Sequence, residues 1–179
     1  MKKIHRLLRY DLPLHFVLLL TNWMPDNVLF LRLRGALSKP FLGECGNNLR
    51  LGRNVTFYNP SNIHLGSDVY IAYGGWFMAG EKITIGNEVL FGPYCVVVSS
   101  NHRRTNRSFR YGEPNQKPIV VEDGVWVGTH VSLLAGCLIG QGSLVAAGAV
   151  VSGVFDADNL IGGVPAKIIK KIEDDADAI

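Results

Sequence analysis

The sequence predicts a mainly β protein, a parallel solenoid of short strands with a short helical segment in front and one loop projecting from the coil. Three observations carry this. Large apolar residues recur every six positions over most of the chain. A small residue often follows each of them. The period breaks once, and by a whole number of periods.

The first 40 residues follow another grammar. The stretches KKIHRLLRYDLPLHFVLLL and PDNVLFLRLRGAL predict two short helices, with Asp26 after Pro25 starting the second and Gly35 near its end. Leu29, Leu33 and Leu37 recur at helical spacing, flanked by Arg32 and Arg34. Two readings stay open: a helical cap packed on the main domain, or a basic amphipathic element touching an anionic membrane surface. The apolar run LPLHFVLLLTNW is too short to span a bilayer and contains Pro13 and His15. No small-residue cleavage site follows it, so no signal peptide is expected.

The repeat begins with a partial coil through Leu51 and Phe57. Leu65, Ile71 and Phe77 open three hexads; two extra residues follow, then Ile85, Phe91 and Val97. After the break come Val121, Val127, Leu133, Ile139, Val145 and Val151. The next residue is small at Gly66, Ala72, Gly86, Gly92, Gly128, Gly140 and Ala146. The fifth is small or β-branched, as at Val69, Cys95, Val131 and Ala149. A period of six is neither helical nor a simple alternation. It fits a short strand and a tight corner, three of which close a triangular coil of about 18 residues. Glycine after the apolar position is expected to relieve φ at the corners. Twelve matches in one register disfavour an ordinary sandwich.

From Val97 to Val121 there are 24 residues where six were due, so 18 are inserted. The insertion, residues 103–120, contains RRTNRSFRYGEPNQKP. Solenoids place such insertions on one face, often the binding face. His102 ends the hexad that starts at Val97, where the coil hands over to this loop. The expected division is therefore a helical segment over 1–40, a β-helix over 41–172 with loop 103–120, and an acidic tail over 173–179.

Bulk properties narrow the classes. The 179 residues suffice for one domain, 47% hydrophobic content excludes a disordered chain, and a net charge of +3 gives no case for nucleic acid. Cys45, Cys95 and Cys137 are odd in number and widely spaced, so neither a disulfide framework nor a cysteine metal site is expected. A reducing cytoplasm fits, with peripheral contact at the inner face of the membrane if the basic helical segment is used that way.

The stretches IGNEVLFGPYCVVV, VEDGVWVGTHVSLLAGCLIGQGSLVAAGAVV and GGVPAKII resemble the hexapeptide-repeat acyltransferases. More narrowly they resemble the sugar O-acetyltransferase branch, which includes galactoside, maltose, nodulation-factor and polysaccharide acetyltransferases. The resemblance covers roughly residues 49–172, and VWVG, AAGAVV and GVPAK are specific as a set. It implies a left-handed parallel β-helix; because this hand opposes the usual crossover rule, it is taken from the resemblance alone. It also implies a homotrimer with sites between subunits. The donor is then acetyl-CoA, and acetyl passes directly to a sugar hydroxyl or amine without a metal.

The resemblance further makes His102 the general base. A sugar hydroxyl is a poor nucleophile until its proton is taken, and histidine as a residue type suits proton transfer near neutrality. Trp126 and Thr129 fall at positions lining the cleft near the thioester. Ala147 and Ser152 match positions along the pantetheine arm. Lys167 and Lys170 match residues that meet the CoA phosphates, while Gly153 stands where the family often has another basic residue. Tyr94, Asn101 and Arg103 are candidates for the acceptor side. Arg103, Arg104, Arg107 and Arg110 would recognise an anionic sugar or form a solvated face.

Other functions remain to be weighed. A carbonic anhydrase on this fold needs three histidines around zinc, and His102 and His130 have only the distant His64 as a third. A non-catalytic scaffold would not need the loop histidine, Trp126 and the lysines together. N-acetylation of an amino sugar uses the same base, but such enzymes often carry an extra nucleotide-binding domain, and none is visible in 1–40.

Overall fold

The computed structural model describes residues 2–173. The acidic tail beyond Glu173 lies outside the described residues. From Glu44 the chain winds as a parallel β-solenoid with three faces. The first face stacks Glu44–Cys45, Ile63–Leu65, Ile83–Ile85, Ile119–Val121, Leu138–Ile139 and Val154–Phe155. The second runs from Arg50–Leu51 to Asn159–Gly163, where Ala166–Lys171 folds back antiparallel as a closing strand. The third runs from Thr56–Tyr58 to Val150–Val151.

The register confirms the coil length. Val127 pairs with Val145, 18 residues on, and Phe91 pairs with Val127, 36 residues on across the insertion. The first apolar position of each hexad points inward: Leu51, Ile71, Phe91, Val127, Val145 and Ile161 are all fully buried in one column. The fifth position adds a second inward residue per side, as at Val69, Cys95, Val125 and Ala149. One continuous apolar core results, with backbone ladders outside it.

The small residue after the apolar position has a different cause from the one expected. Gly66 does not have a positive φ; a Cβ there would sit 2.6 Å from the Gly86 backbone carbonyl in the coil above. Stacking distance between corners demands its size. The left-handed turn conformation falls two residues later, at Asp68, Glu88, Gly124 and Gly142.

The helical segment comprises α1 (Lys2–Arg6), a π-helical turn (Leu7–Asp11), α2 (Leu12–Thr21) and α3 (Val28–Ser38). Asn27, not Asp26, caps α3, its side chain accepting the Phe30 N–H at 3.1 Å. Asp26 is used elsewhere, in ion pairs with Arg34 (3.2 Å) and Arg53 (3.4 Å). Gly35 does not end α3; it lies within the helix because a Cβ would overlap the Leu49 carbonyl of the coil beneath. The roll of α3 is likewise opposite to that of a cap with its leucines turned in. Arg34 is 0% exposed, whereas Leu29, Leu33 and Leu37 face outward. Arg34 donates to the carbonyls of Leu51, Thr21 and Met24 as well as to Asp26, which ties both helices to the first full coil. Burial lowers the Arg34 guanidinium from its ordinary value, and the Asp26 carboxylate opposes that shift.

The insertion is an arm with strand structure at its base. Ser100–His102 pairs antiparallel with Pro114–Gln116, so the regular coil ends at Ser99 and resumes at Ile119. Buried Ser99 anchors the arm: its hydroxyl donates to the Glu81 carbonyl at 2.7 Å, and its carbonyl accepts the Lys117 N–H. His102 is therefore the last residue of an arm strand, opposite Pro114, and not the last residue of the coil.

Candidate active site

A cleft of about 580 Å³ runs along the second face where it turns into the third. Trp126, Leu144 and Leu160, neighbours in successive coils, form its apolar wall. Gly92 and Gly128 form its floor at the corner, and neither position tolerates a side chain. A Cβ on Gly128 would come within 2.8 Å of the Ala147 nitrogen and the Val145 oxygen. Thr129 and Ala147 stand at the corner edge, and Lys170 of the closing strand sits on the margin.

Thr129 is held firmly. Its hydroxyl donates to the Pro93 carbonyl at 2.9 Å and lies 3.0 Å from His130 Nδ1. A hydroxyl has one proton, so with that proton on Pro93 the second contact requires His130 Nδ1–H to donate. The neutral His130 ring then carries its lone pair on Nε2. Tyr94 stacks on the other side of His130, with ring centroids 5.1 Å apart, and meets Tyr73 edge-on at 5.4 Å. Among the described residues the Thr129 and Ala147 N–H groups donate to no backbone carbonyl, which leaves two donors at the cleft edge.

Of the residues expected at the donor side, Trp126, Thr129, Ala147 and Lys170 line this one cleft. Ser152 and Lys167 do not line it; Lys167 pairs with Gly162 on the closing hairpin. Tyr94 flanks the cleft next to Pro93. His102, Asn101 and Arg103 are exposed on the arm and are not among the cleft residues. Among the described residues the His102 side chain makes no hydrogen bond within its own chain, and Asn101 lies opposite Asn115 in the arm. His64 is on a strand of the first face, not at a corner, and pairs with Glu44 at 3.1 Å. Among the described residues no three His, Cys, Asp or Glu side chains converge as a metal-binding group would.

The sequence reading missed the apolar wall from Leu144 and Leu160 and the His130–Thr129 contact. The wall residues occupy the outward position just before each buried one, a pattern the hexads do contain. The histidine contact depends on a left-handed turn at His130, which spacing does not reveal.

Comparison with known proteins shows the family to which the chain belongs. The family model described as bacterial transferase hexapeptide (six repeats) matches residues 118–153. Galactoside O-acetyltransferase of Escherichia coli is 30% identical over 141 residues, covering 79% of this chain and 70% of that protein. The chain belongs to the hexapeptide-repeat acetyltransferases. Another Escherichia coli protein, whose name assigns it to lipopolysaccharide biosynthesis as an O-acetyl transferase, is 35% identical, covering 70% of this chain and 67% of that one. A Schizosaccharomyces pombe protein named as an acetyltransferase is 37% identical, but the match spans 55% of its length. The hexapeptide-repeat acetyltransferase of Vibrio cholerae, solved with acetyl coenzyme A, superposes with a TM-score of 0.78 at 30% identity, covering 90% of this chain and 86% of that one. These acetyltransferase relatives share the solenoid that builds the cleft.

The cysteines of this acetyltransferase are poor acyl carriers. Burial pushes the Cys95 thiol up to about 11 and the Cys137 thiol to about 12, and raises Cys45 as well. Cys95 lies under the cleft corner, its Sγ 3.0 Å from the Gly128 carbonyl. With raised values these thiols stay protonated through neutral and mildly alkaline pH. In the folded protein at pH 8, Cys95 and Cys137 are expected to resist maleimide labelling and to react only on denaturation; rapid native labelling of either would contradict this.

Proposed function

We propose that the protein transfers acetyl from acetyl-CoA directly to a hydroxyl of a sugar acceptor in glycan or glycoconjugate synthesis. The observation that carries this reading is the separation of two half-sites. The cleft has the shape and lining for a thioester arm, but no histidine is among its lining residues. The arm histidine is exposed and makes no side-chain hydrogen bond among the described residues. A homotrimer, in which the arm of one subunit reaches the cleft of the next, would complete three sites.

The cleft residues suit the donor. The apolar wall of Trp126, Leu144 and Leu160 fits a pantetheine chain, which is long and weakly polar. The free N–H of Ala147 is placed to bond an amide of that chain. Lys170 on the margin offers a cation to phosphate, with Lys167 near it along the closing strand. Ser152 is exposed beyond the third-face strand Val150–Val151 and would act farther along the donor, outside the cleft itself.

In the reaction, His102 takes the proton of the acceptor hydroxyl as that oxygen attacks the thioester carbonyl carbon. The carbonyl oxygen becomes negative and needs donors, for which the Thr129 N–H is positioned at the corner. The C–S bond then breaks, and the proton held on His102 passes to the departing thiolate. No covalent enzyme intermediate is needed. Tyr94, Asn101 and Arg103 are assigned to the acceptor, which enters from the arm side.

The names of the two Escherichia coli relatives point to galactosides and lipopolysaccharide sugars as the first acceptors to try. The test follows CoA release with such sugars and then exposes the product to mild base. An O-acetyl ester is expected to be cleaved. A base-stable acetyl product would instead show N-acetylation, and CoA release independent of sugar would overturn the reading. Lys170→Glu is expected to raise the acetyl-CoA KM about tenfold, or roughly 1.4 kcal/mol, with a smaller change in kcat. An unchanged KM would remove Lys170 from phosphate recognition.

A further inference from the structure

The outward sides of α2 and α3 are largely apolar, and none of the described residues covers them. Along α2, Leu12, Phe16, Leu19 and Leu20 recur at positions of one helical face, and Trp23 continues it. Leu20 is 67% and Trp23 76% exposed. The opposite face of α2 is buried through Leu14, Leu18 and Thr21. Apart from the exposed His15, the outward side of this helix is thus as apolar as its buried side, yet only one side has a protein partner. In α3 the outward face carries Leu29, Leu33 and Leu37, with Leu29 70% exposed. Rotation to hide them is blocked, because Arg34 is locked inward by Asp26 and three carbonyls, and Gly35 is pressed on Leu49. The fold therefore holds the leucines outward.

Charge indicates what meets them. Residues 1–41 contain seven Lys and Arg against two Asp and Glu, whereas the rest of the chain has eleven against thirteen. Both acids of the segment are occupied by arginines: Asp11 pairs with Arg6, and Asp26 with Arg34 and Arg53. Arg32 lies beside the leucine face, exposed and without an acidic partner among the described residues. Its long stem can lie along the apolar surface while the guanidinium reaches outward. Among the described residues no helix is long and apolar enough to cross a bilayer. An apolar face with a basic rim and an exposed tryptophan is the pattern of a segment lying in a membrane interface.

We propose that the outward face of α2 and α3 is a docking surface for an anionic phospholipid bilayer, with the leucines and Trp23 in the acyl boundary and the arginines at the headgroups. The full-length protein should co-sediment with vesicles of phosphatidylcholine mixed with phosphatidylglycerol, bind pure phosphatidylcholine much less, and lose binding as salt rises. The double variant Leu20→Asp, Leu29→Asp replaces two solvent-facing side chains. It should weaken vesicle binding about tenfold or more while leaving molar mass and acetyl-CoA affinity unchanged. Absence of vesicle binding by the unaltered protein would overturn the proposal, as would undiminished binding by the double variant. A fall in molar mass of the double variant would give the face to a second copy of this chain and overturn it equally.

Discussion

Replacing His102 with alanine is expected to lower kcat for acetyl transfer by roughly 10²–10⁴-fold, the usual contribution of a positioned general base. Acetyl-CoA affinity and assembly should be unchanged, since His102 is exposed on the arm and belongs to neither the core nor the donor cleft. The informative control is His130→Asn. His130 is in contact with Thr129 at the cleft edge and is the histidine nearest the donor residues within one chain. A minor loss there with a large loss at His102 places the base on the arm. The reverse result would place it at the coil corner, within a single subunit.

Arg34→Ala is the second large effect, on stability rather than chemistry. The substitution takes the Arg34 donor from the carbonyls of Leu51, Met24 and Thr21 (the last still accepting the Met24 N–H), leaves a cavity between α3 and the first coil, and takes a partner from Asp26. Breaking a buried charged network of this kind costs about 3–5 kcal/mol. For a chain of this size each kcal/mol moves Tm by about 2–4 °C, so a fall on the order of 10 °C is expected in thermal unfolding. A Tm within about 2 °C of the unaltered protein would show that the helices are held by their apolar contacts alone.

The solenoid was readable because its cause is periodic. An inward residue every six positions and a close corner after it leave a direct trace in sequence, and Val127, Val145 and Gly128 fulfil both roles. The helical segment was harder because a leucine stripe normally marks the buried side. Here one arginine and one glycine decide the roll of α3, and neither signals its burial locally. The corner glycines were correctly located but misread, since close approach and left-handed φ leave similar composition two residues apart. Trp126, Thr129, Ala147 and Lys170 line one cleft, while Ser152 and Lys167 fall outside it, and the role of all six toward a donor is part of the proposal. The arm strand that carries His102 pairs with residues twelve or more positions away, a register that no local pattern encodes.

The central claim is that base and donor cleft come from different subunits, and mixed assemblies test it most directly. His102→Ala keeps an intact cleft. Ala147→Tyr, at an exposed cleft position, fills the cleft but keeps an intact arm. Each variant alone should be nearly inactive. Co-expressed with different tags and purified through both, they should regain roughly a third of the normal activity, because every mixed ring of three heterologous contacts contains one hybrid site with an intact arm and an intact cleft. Mixed assemblies that remain as inactive as either parent would contradict a site shared between subunits.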